Sequence, residues 1–229
     1  MSPLKIYSGV AIIAALTAWG GWSARNRFRL PDPYAPEHQP IPVKSAITAD
    51  LAGTDAAGQP ASFAAVKGKV CACSYLFTRC PHGCAIVFGA MRELRDRFGS
   101  HPDFHLASLA VLPDMDSPGV LREFAVSQGV NTSDPWLLLT GFTRASVWQF
   151  TETQLGMTPT RETPAGERLS SCDYCEHDLR IVLIDRQSRV RGHYAVMQTN
   201  EKDRAFMLEK LINDTRRLLE DKDSSTAAP

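Results

Sequence analysis

No cysteine stands in the first seventy residues of this chain or in the last fifty, yet six are present, at positions 71, 73, 80, 84, 172 and 175. Ordinary core use would scatter them. Their confinement to two short stretches points to redox or metal chemistry, and the even number suits an oxidising compartment. Neither sign of charge is in surplus: Lys and Arg total 25, and Asp and Glu also total 25. Nucleic acid is therefore not expected as a partner, and no acidic block forms a solvating tail. There is no internal repeat. The 229 residues hold one domain of ordinary size with room for an anchor and a linker, so function must be sought in local sites.

Charge is also missing from Ile6 to Ala24, which follows Lys5. At about 1.5 Å per residue such a run is just long enough to cross a bilayer core of roughly 30 Å. A buried core helix would show a polar face, and this run shows none. It lacks a clear A-x-A cleavage site before Arg25 and any cysteine placed for lipidation, so an uncleaved anchor is expected rather than a signal peptide. Arg25, Arg27 and Arg29 follow the segment, and the positive-inside rule alone would keep the domain in the cytoplasm. The cysteine chemistry argues for the opposite side. The short anchor, with no transit sequence, favours a single pass through a bacterial inner membrane, the domain facing the periplasm.

The expected organisation is an anchor with its flanks over 1–29, a stalk over 30–44, a folded domain over 45–220 and a frayed tail over 221–229. Prolines at 31, 33, 36, 40 and 42 favour extended polyproline conformation in the stalk. Within the domain a hairpin is expected around Gly58-Gln59-Pro60. Strands follow at Val70–Phe77, Phe104–Leu112 and Trp136–Leu139, then a pair at Leu179–Ile184 and Val190–Val196 joined by a turn at 185–188. Helices are predicted at Gly83–Phe98, at Pro118–Gln128 capped by Ser117, at Thr143–Phe150, and at Glu201–Leu219 with Phe206, Leu208, Leu211, Ile212 and Leu218 on its apolar face. This is an α/β layout, a mixed central sheet flanked by helices.

The strongest local signal is Phe77-Thr78-Arg79-Cys80-Pro81-His82-Gly83-Cys84, where a buried strand ends and a helix begins. Unpaired N–H groups at a helix start stabilise a thiolate and lower a cysteine pKa. Thiolate is both the nucleophile of disulfide exchange and the soft ligand that Cu(I) prefers. Two cysteines four apart can turn both sulfurs to one ion, or be oxidised together. A structural pair of buried thiols is the rival reading; Pro81 and Gly83 favour an exposed loop instead.

These residues resemble the SCO/SenC family of copper-binding, thioredoxin-like proteins that assist cytochrome c oxidase assembly. The family's FTxCPxxC run after a GKV-type strand start corresponds to Gly68-Lys69-Val70 and Phe77–Cys84. The stretch from Asp114 through Asp116, Ser117 and Pro118 to Leu121 is similar to its acidic segment, and Trp136–Gly141 to its WxxLTG strand. The segment Glu176-His177-Asp178 through Asp185 is similar to its DHS-type segment. The resemblance spans about Ile47–Leu219. It implies a thioredoxin-like fold and copper, as Cu(I) or Cu(II), held by Cys80, Cys84 and His177, with Asp116 near the site or supporting its loop. An acidic residue at a helix start is the plainer reading of Asp116. Ala85 departs from the family's usual proline, and His82 is an extra potential ligand.

Four further cysteines fall outside that pattern. Cys71 and Cys73 alternate on a strand, with Cα atoms about 6.5–7 Å apart, at or beyond the limit for a mutual disulfide; they read as buried core thiols. Cys172 and Cys175 stand beside His177 as a C-x2-C with three open readings: a loop-tying disulfide, a dithiol exchanging with Cys80 and Cys84, or additional copper ligands. For the whole protein two functions compete. One is a metallochaperone passing copper to a cytochrome oxidase subunit or to another copper chaperone; the other is a thiol–disulfide oxidoreductase keeping a partner's cysteines reduced. His177 favours the first, since dithiol exchange needs no third ligand. A thiol peroxidase fits worse, because Thr78 precedes Cys80 by only two positions.

Overall fold

The computed structural model describes residues 15–17, 19–20, 23, 39–80, 83–168 and 170–221. Most of the expected anchor and stalk, the tail from 222, and Pro81 and His82 lie outside these residues. No helix among the described residues is long and apolar enough to cross a membrane. The chain divides at Pro40, and the unit beginning at Ile41 carries the fold described below.

Ten strands and four helices succeed one another in that unit. They are β1 (Ser45–Ala46), β2 (Ala52–Asp55), β3 (Pro60–Ser62), β4 (Val70–Leu76), α1 (Cys84–Phe98), β5 (Phe104–Ala110), α2 (Pro118–Ser127), β6 (Trp136–Thr140), α3 (Arg144–Thr153), β7 (Arg161–Glu162), β8 (Cys175–Glu176), β9 (Ile181–Ile184), β10 (Arg189–Tyr194) and α4 (Glu201–Glu220). Eight strands form one mixed sheet in the order β1-β10-β9-β4-β5-β6-β2-β3. The pairs β4–β5 and β5–β6 are parallel and the remaining pairs antiparallel. β4 is buried along its whole length, as a central strand covered on both faces should be.

Alternation along β4 divides the core into two layers. Val70, Ala72 and Leu76 face α1, α2 and α4, packing with Val87, Met91, Leu94, Leu121 and Leu211. Cys71, Cys73 and Tyr75 face the other side, with Phe63, Leu109, Val147 and Phe150. Cys71 and Cys73 are therefore core thiols, fully buried and not bonded to each other, and burial pushes both thiols up.

The predicted hairpin forms between β2 and β3, with Gly58 at φ 81°, a left-handed conformation that favours glycine. The Ser117 cap forms as read, its Oγ accepting from Val120 N, whereas Thr143, read as the first helical residue, is itself a cap, its Oγ1 accepting from Ser146 N at 3.1 Å. One expectation for α4 needs correction, because Phe206 is 66% exposed. The buried stripe runs through Leu211, Ile212, Thr215, Leu218 and Leu219. At about 100° per residue, position 206 lies roughly 140° round the helix from 211, outside that stripe.

Candidate metal centre

Topology explains why residues far apart in sequence meet. The cysteine loop leaves the carboxyl end of β4. β9 is antiparallel to β4, with Cys73 opposite Val182, so the residues leading into β9 run past that same end. His177 thereby arrives beside a loop 93 residues away in the chain, its Nε2 3.6 Å from Cys84 Sγ. One donor atom from each of Cys80, Cys84 and His177 lies within 4.8 Å of the others, the one such cluster of His, Cys or acidic groups found among the described residues.

The imidazole is aimed. His177 Nδ1 lies 3.0 Å from the Asp178 carbonyl, which can only accept, so Nδ1 carries the proton and Nε2 turns a lone pair toward the sulfurs. The Tyr75 ring meets the His177 ring edge-on at 5.6 Å between centroids, and Tyr75 Oη is fixed by Thr151 and Thr160. Asp178 braces the segment from behind. Its buried carboxylate accepts from Thr158 N at 2.8 Å and Arg180 N at 2.9 Å, and it pairs with the Arg180 guanidinium. Burial pushes this carboxyl up, but the Arg180 pairing and the two backbone N–H groups outweigh it and hold Asp178 at about 2.

Cys84 is the first residue of α1, where the helix end was expected to lower its pKa. The opposite holds. A hydrogen bond with Cys80 and then burial push the Cys84 thiol well up, against a smaller opposing contribution from the Phe77 backbone. The neighbouring Cys80 thiol and burial together outweigh what the helix terminus supplies. Cys84 is thereby favoured as the thiol, whose proton a bound cation would displace. Gly83 permits this close approach, since a Cβ there would sit 2.8 Å from Met197 Cγ and 3.0 Å from Leu179 Cδ1.

Asp116 supports the loop. Fully buried, it accepts from Thr78 N at 3.1 Å and from Thr78 Oγ1 at 2.6 Å, while its own carbonyl accepts from Thr140 Oγ1 at 2.8 Å. Burial pushes its carboxyl up and the Thr78 bonds partly offset this. Two residues earlier, Asp114 takes a two-pronged bond from Arg144, whose other nitrogen reaches Glu162 at 2.9 Å. Glu162 stands opposite Cys175 in the small β7–β8 pair. Residues 172–175 thus share a frame with the cysteine loop, which neither spacing nor periodicity signals.

Cys175 is buried in the same cluster as Cys80 and Cys84, whereas Cys172 is partly exposed and the two are not bonded. Neither joins the three-donor set. Burial pushes the Cys175 thiol to about 12, with Arg144 opposing and Cys80 adding to it. His82, the other candidate ligand, lies outside the described residues. Chemically, two thiols and an imidazole at this spacing can hold a soft or borderline cation, or the two sulfurs can close into a disulfide.

Fold and site together define a class: a thioredoxin-like domain carrying a thiol–thiol–imidazole cluster where the central strand gives way to a helix. The chain belongs to the SCO1/SenC family, whose model matches residues 40–213. Solved structures with the same fold include a SCO1/SenC family lipoprotein from Bacillus anthracis, 22% identical with a TM-score of 0.63, covering 77% of this chain and 96% of that one. Another is BsSco, a member of the Sco family of cytochrome c oxidase assembly proteins in which a disulfide switch was identified. It is 21% identical with a TM-score of 0.62, covering 80% of this chain and 100% of that one. A third is yeast Sco1 with copper bound, 16% identical with a TM-score of 0.57, covering 80% of this chain and 96% of that one. No curated protein matches the chain in sequence.

Proposed function

We propose that this protein is a copper-binding metallochaperone that assists copper-site assembly in a respiratory cytochrome c oxidase, holding the metal through Cys80, Cys84 and His177. The observation that carries the reading is the third donor: an oriented imidazole nitrogen 3.6 Å from Cys84 Sγ, which dithiol exchange alone does not require. Two thiolates suit Cu(I), and the added imidazole allows Cu(II) as well. Three ligands leave the metal room to accept a fourth from a recipient. A recess of about 200 Å³ lined by Cys175, Glu176, His177 and Leu179 gives such a recipient a place to approach. The partner on this reading is a copper-receiving oxidase subunit or another copper chaperone. The segment Ile6–Ala24 anchors the chain in a bacterial inner membrane, with the domain in the periplasm. The competing reading, a thiol–disulfide oxidoreductase acting on a partner's cysteines, draws on the same sulfurs.

The test is anaerobic Cu(I) titration of the reduced full-length chain in mild detergent. One tight equivalent is expected, and because copper displaces thiol protons, binding tightens as pH rises. Absence of tight binding together with rapid reduction of a disulfide substrate would establish the oxidoreductase reading instead.

Asp116 gives a second expectation. Asp116→Ala strips both acceptors from Thr78 and lets the loop relax, which should lower copper affinity about 10–100-fold, the usual effect of losing a group that orients a ligand. Asp116→Asn keeps one acceptor oxygen and should fall between the two. Competition against a chelator of known affinity measures both; equal affinity in all three chains would remove Asp116 from the account.

A further inference from the structure

Cys172 and Cys175 are not used by the three-donor site, yet the fold lays them against it. The Tyr174 ring meets the Phe77 ring edge-on at 6.3 Å, so the C-x2-C turn rests on the cysteine loop. Arg168 lies over the Tyr174 ring, 5.1 Å from its centroid. Backbone pairing of Cys175 with Glu162, and the Arg144 bridge from Glu162 to Asp114, fix the turn to the segment that holds Thr78. The two cysteines differ in access. Cys175 is inside, 5% exposed and packed in the cluster that contains Cys84 and Cys80, while Cys172 reaches solvent. Cys175 nevertheless stays outside the donor set.

We infer that Cys172 and Cys175 form an internal relay that reduces a Cys80–Cys84 disulfide and so returns the metal-binding pair to its dithiol state. The inference rests on the copper reading, since only the dithiol offers two thiolates to Cu(I). A Cys80–Cys84 disulfide arises when an external oxidant removes two electrons and two protons from the pair. The Cys175 sulfur attacks one sulfur of that disulfide as its own proton passes to the sulfur that leaves; the S–S bond breaks and a Cys175 mixed disulfide forms. The Cys172 thiolate then attacks the Cys175 sulfur, releasing the second thiol and closing a Cys172–Cys175 disulfide. Two electrons have moved outward, and Cys172 presents the oxidised pair to an external dithiol reductant. An inner and an outer cysteine two residues apart suit such a transfer, whereas an extra copper ligand would have to stand among the donors.

The experiment treats the reduced full-length chain with one equivalent of diamide, lets it equilibrate anaerobically, alkylates it and maps disulfides by mass spectrometry. The expected product is a Cys172–Cys175 disulfide with Cys80 and Cys84 alkylated. Cys172→Ser, a change at a partly exposed position, should instead accumulate a mixed disulfide between Cys175 and Cys80 or Cys84. A Cys80–Cys84 disulfide that persists equally in the unaltered chain and in Cys172→Ser would overturn the relay. Copper titration of reduced Cys172→Ser separates the two claims. One tight equivalent with no mixed disulfide sinks the relay and leaves the copper reading standing; a mixed disulfide in a chain that never binds copper sinks the copper reading.

Discussion

Cys84→Ser is expected to lower Cu(I) affinity by more than two orders of magnitude, leaving no tight equivalent. Groups that merely orient a ligand are worth about 10–100-fold, and Cys84 is itself a donor, so its loss must exceed that range. Serine is nearly isosteric, but its oxygen is hard and holds its proton at neutral pH, which Cu(I) disfavours. The fold should survive, because the change sits at the first residue of α1 and the helix packs through Val87, Met91 and Leu94. Cys80→Ser should behave alike. His177→Ala should act unevenly: two thiolates still suit Cu(I), whereas Cu(II) relies more on the imidazole, so Cu(II) binding falls further. Competition titrations with each oxidation state check the ordering. Retention of tight Cu(I) binding in Cys84→Ser would place the metal elsewhere.

Asp185→Ala is expected to destabilise the domain by about 3–5 kcal/mol, the usual cost of leaving a buried charge without its partner. Asp185 begins the turn between β9 and β10 and is almost wholly buried. One oxygen accepts from Gln187 N and Arg189 N, each at 3.0 Å, and so forms the turn. The other pairs with Arg189 and with Arg191, each at 2.8 Å. Arg191 is also buried and reaches the Ile41 and Pro42 carbonyls, clipping the start of the domain to β10. Removing Asp185 orphans two backbone donors and leaves the buried Arg191 charge without its carboxylate. Removing Arg191 is milder, since Asp185 keeps Arg189 and both backbone donors. Denaturant unfolding should therefore rank Asp185→Ala below Arg191→Met in stability; the reverse order would show that the clip, rather than the turn, holds this region.

The elements that position the site were legible because each has a local cause. β4 lies in a mostly apolar run bounded by Gly68 and Cys80-Pro81, α1 repeats its apolar residues at helical spacing, and Ser117 caps its helix with Pro118 at the first position. The family pattern then pointed to His177, which no local rule selects. What stayed hidden depends on residues that meet only after folding. β7 and β8 have two residues each, too short for periodicity, and their pairing carries Glu162 to Cys175. The Asp114–Arg144–Glu162 bridge joins three separate segments. The proton affinity of Cys84 reverses the helix-end expectation because burial and a neighbouring thiol are tertiary facts. Hydrophobicity alone places Phe206 on the packed face, but its phase on α4 puts it in solvent.

The claim that matters most is the donor set. Copper-edge X-ray absorption on the Cu(I)-loaded full-length chain tests it directly. The account predicts a first shell of two sulfurs and one nitrogen, with the nitrogen lost in His177→Ala and one sulfur lost in Cys80→Ser or Cys84→Ser. A shell of oxygen and nitrogen alone, or one unchanged by any of these substitutions, would contradict it.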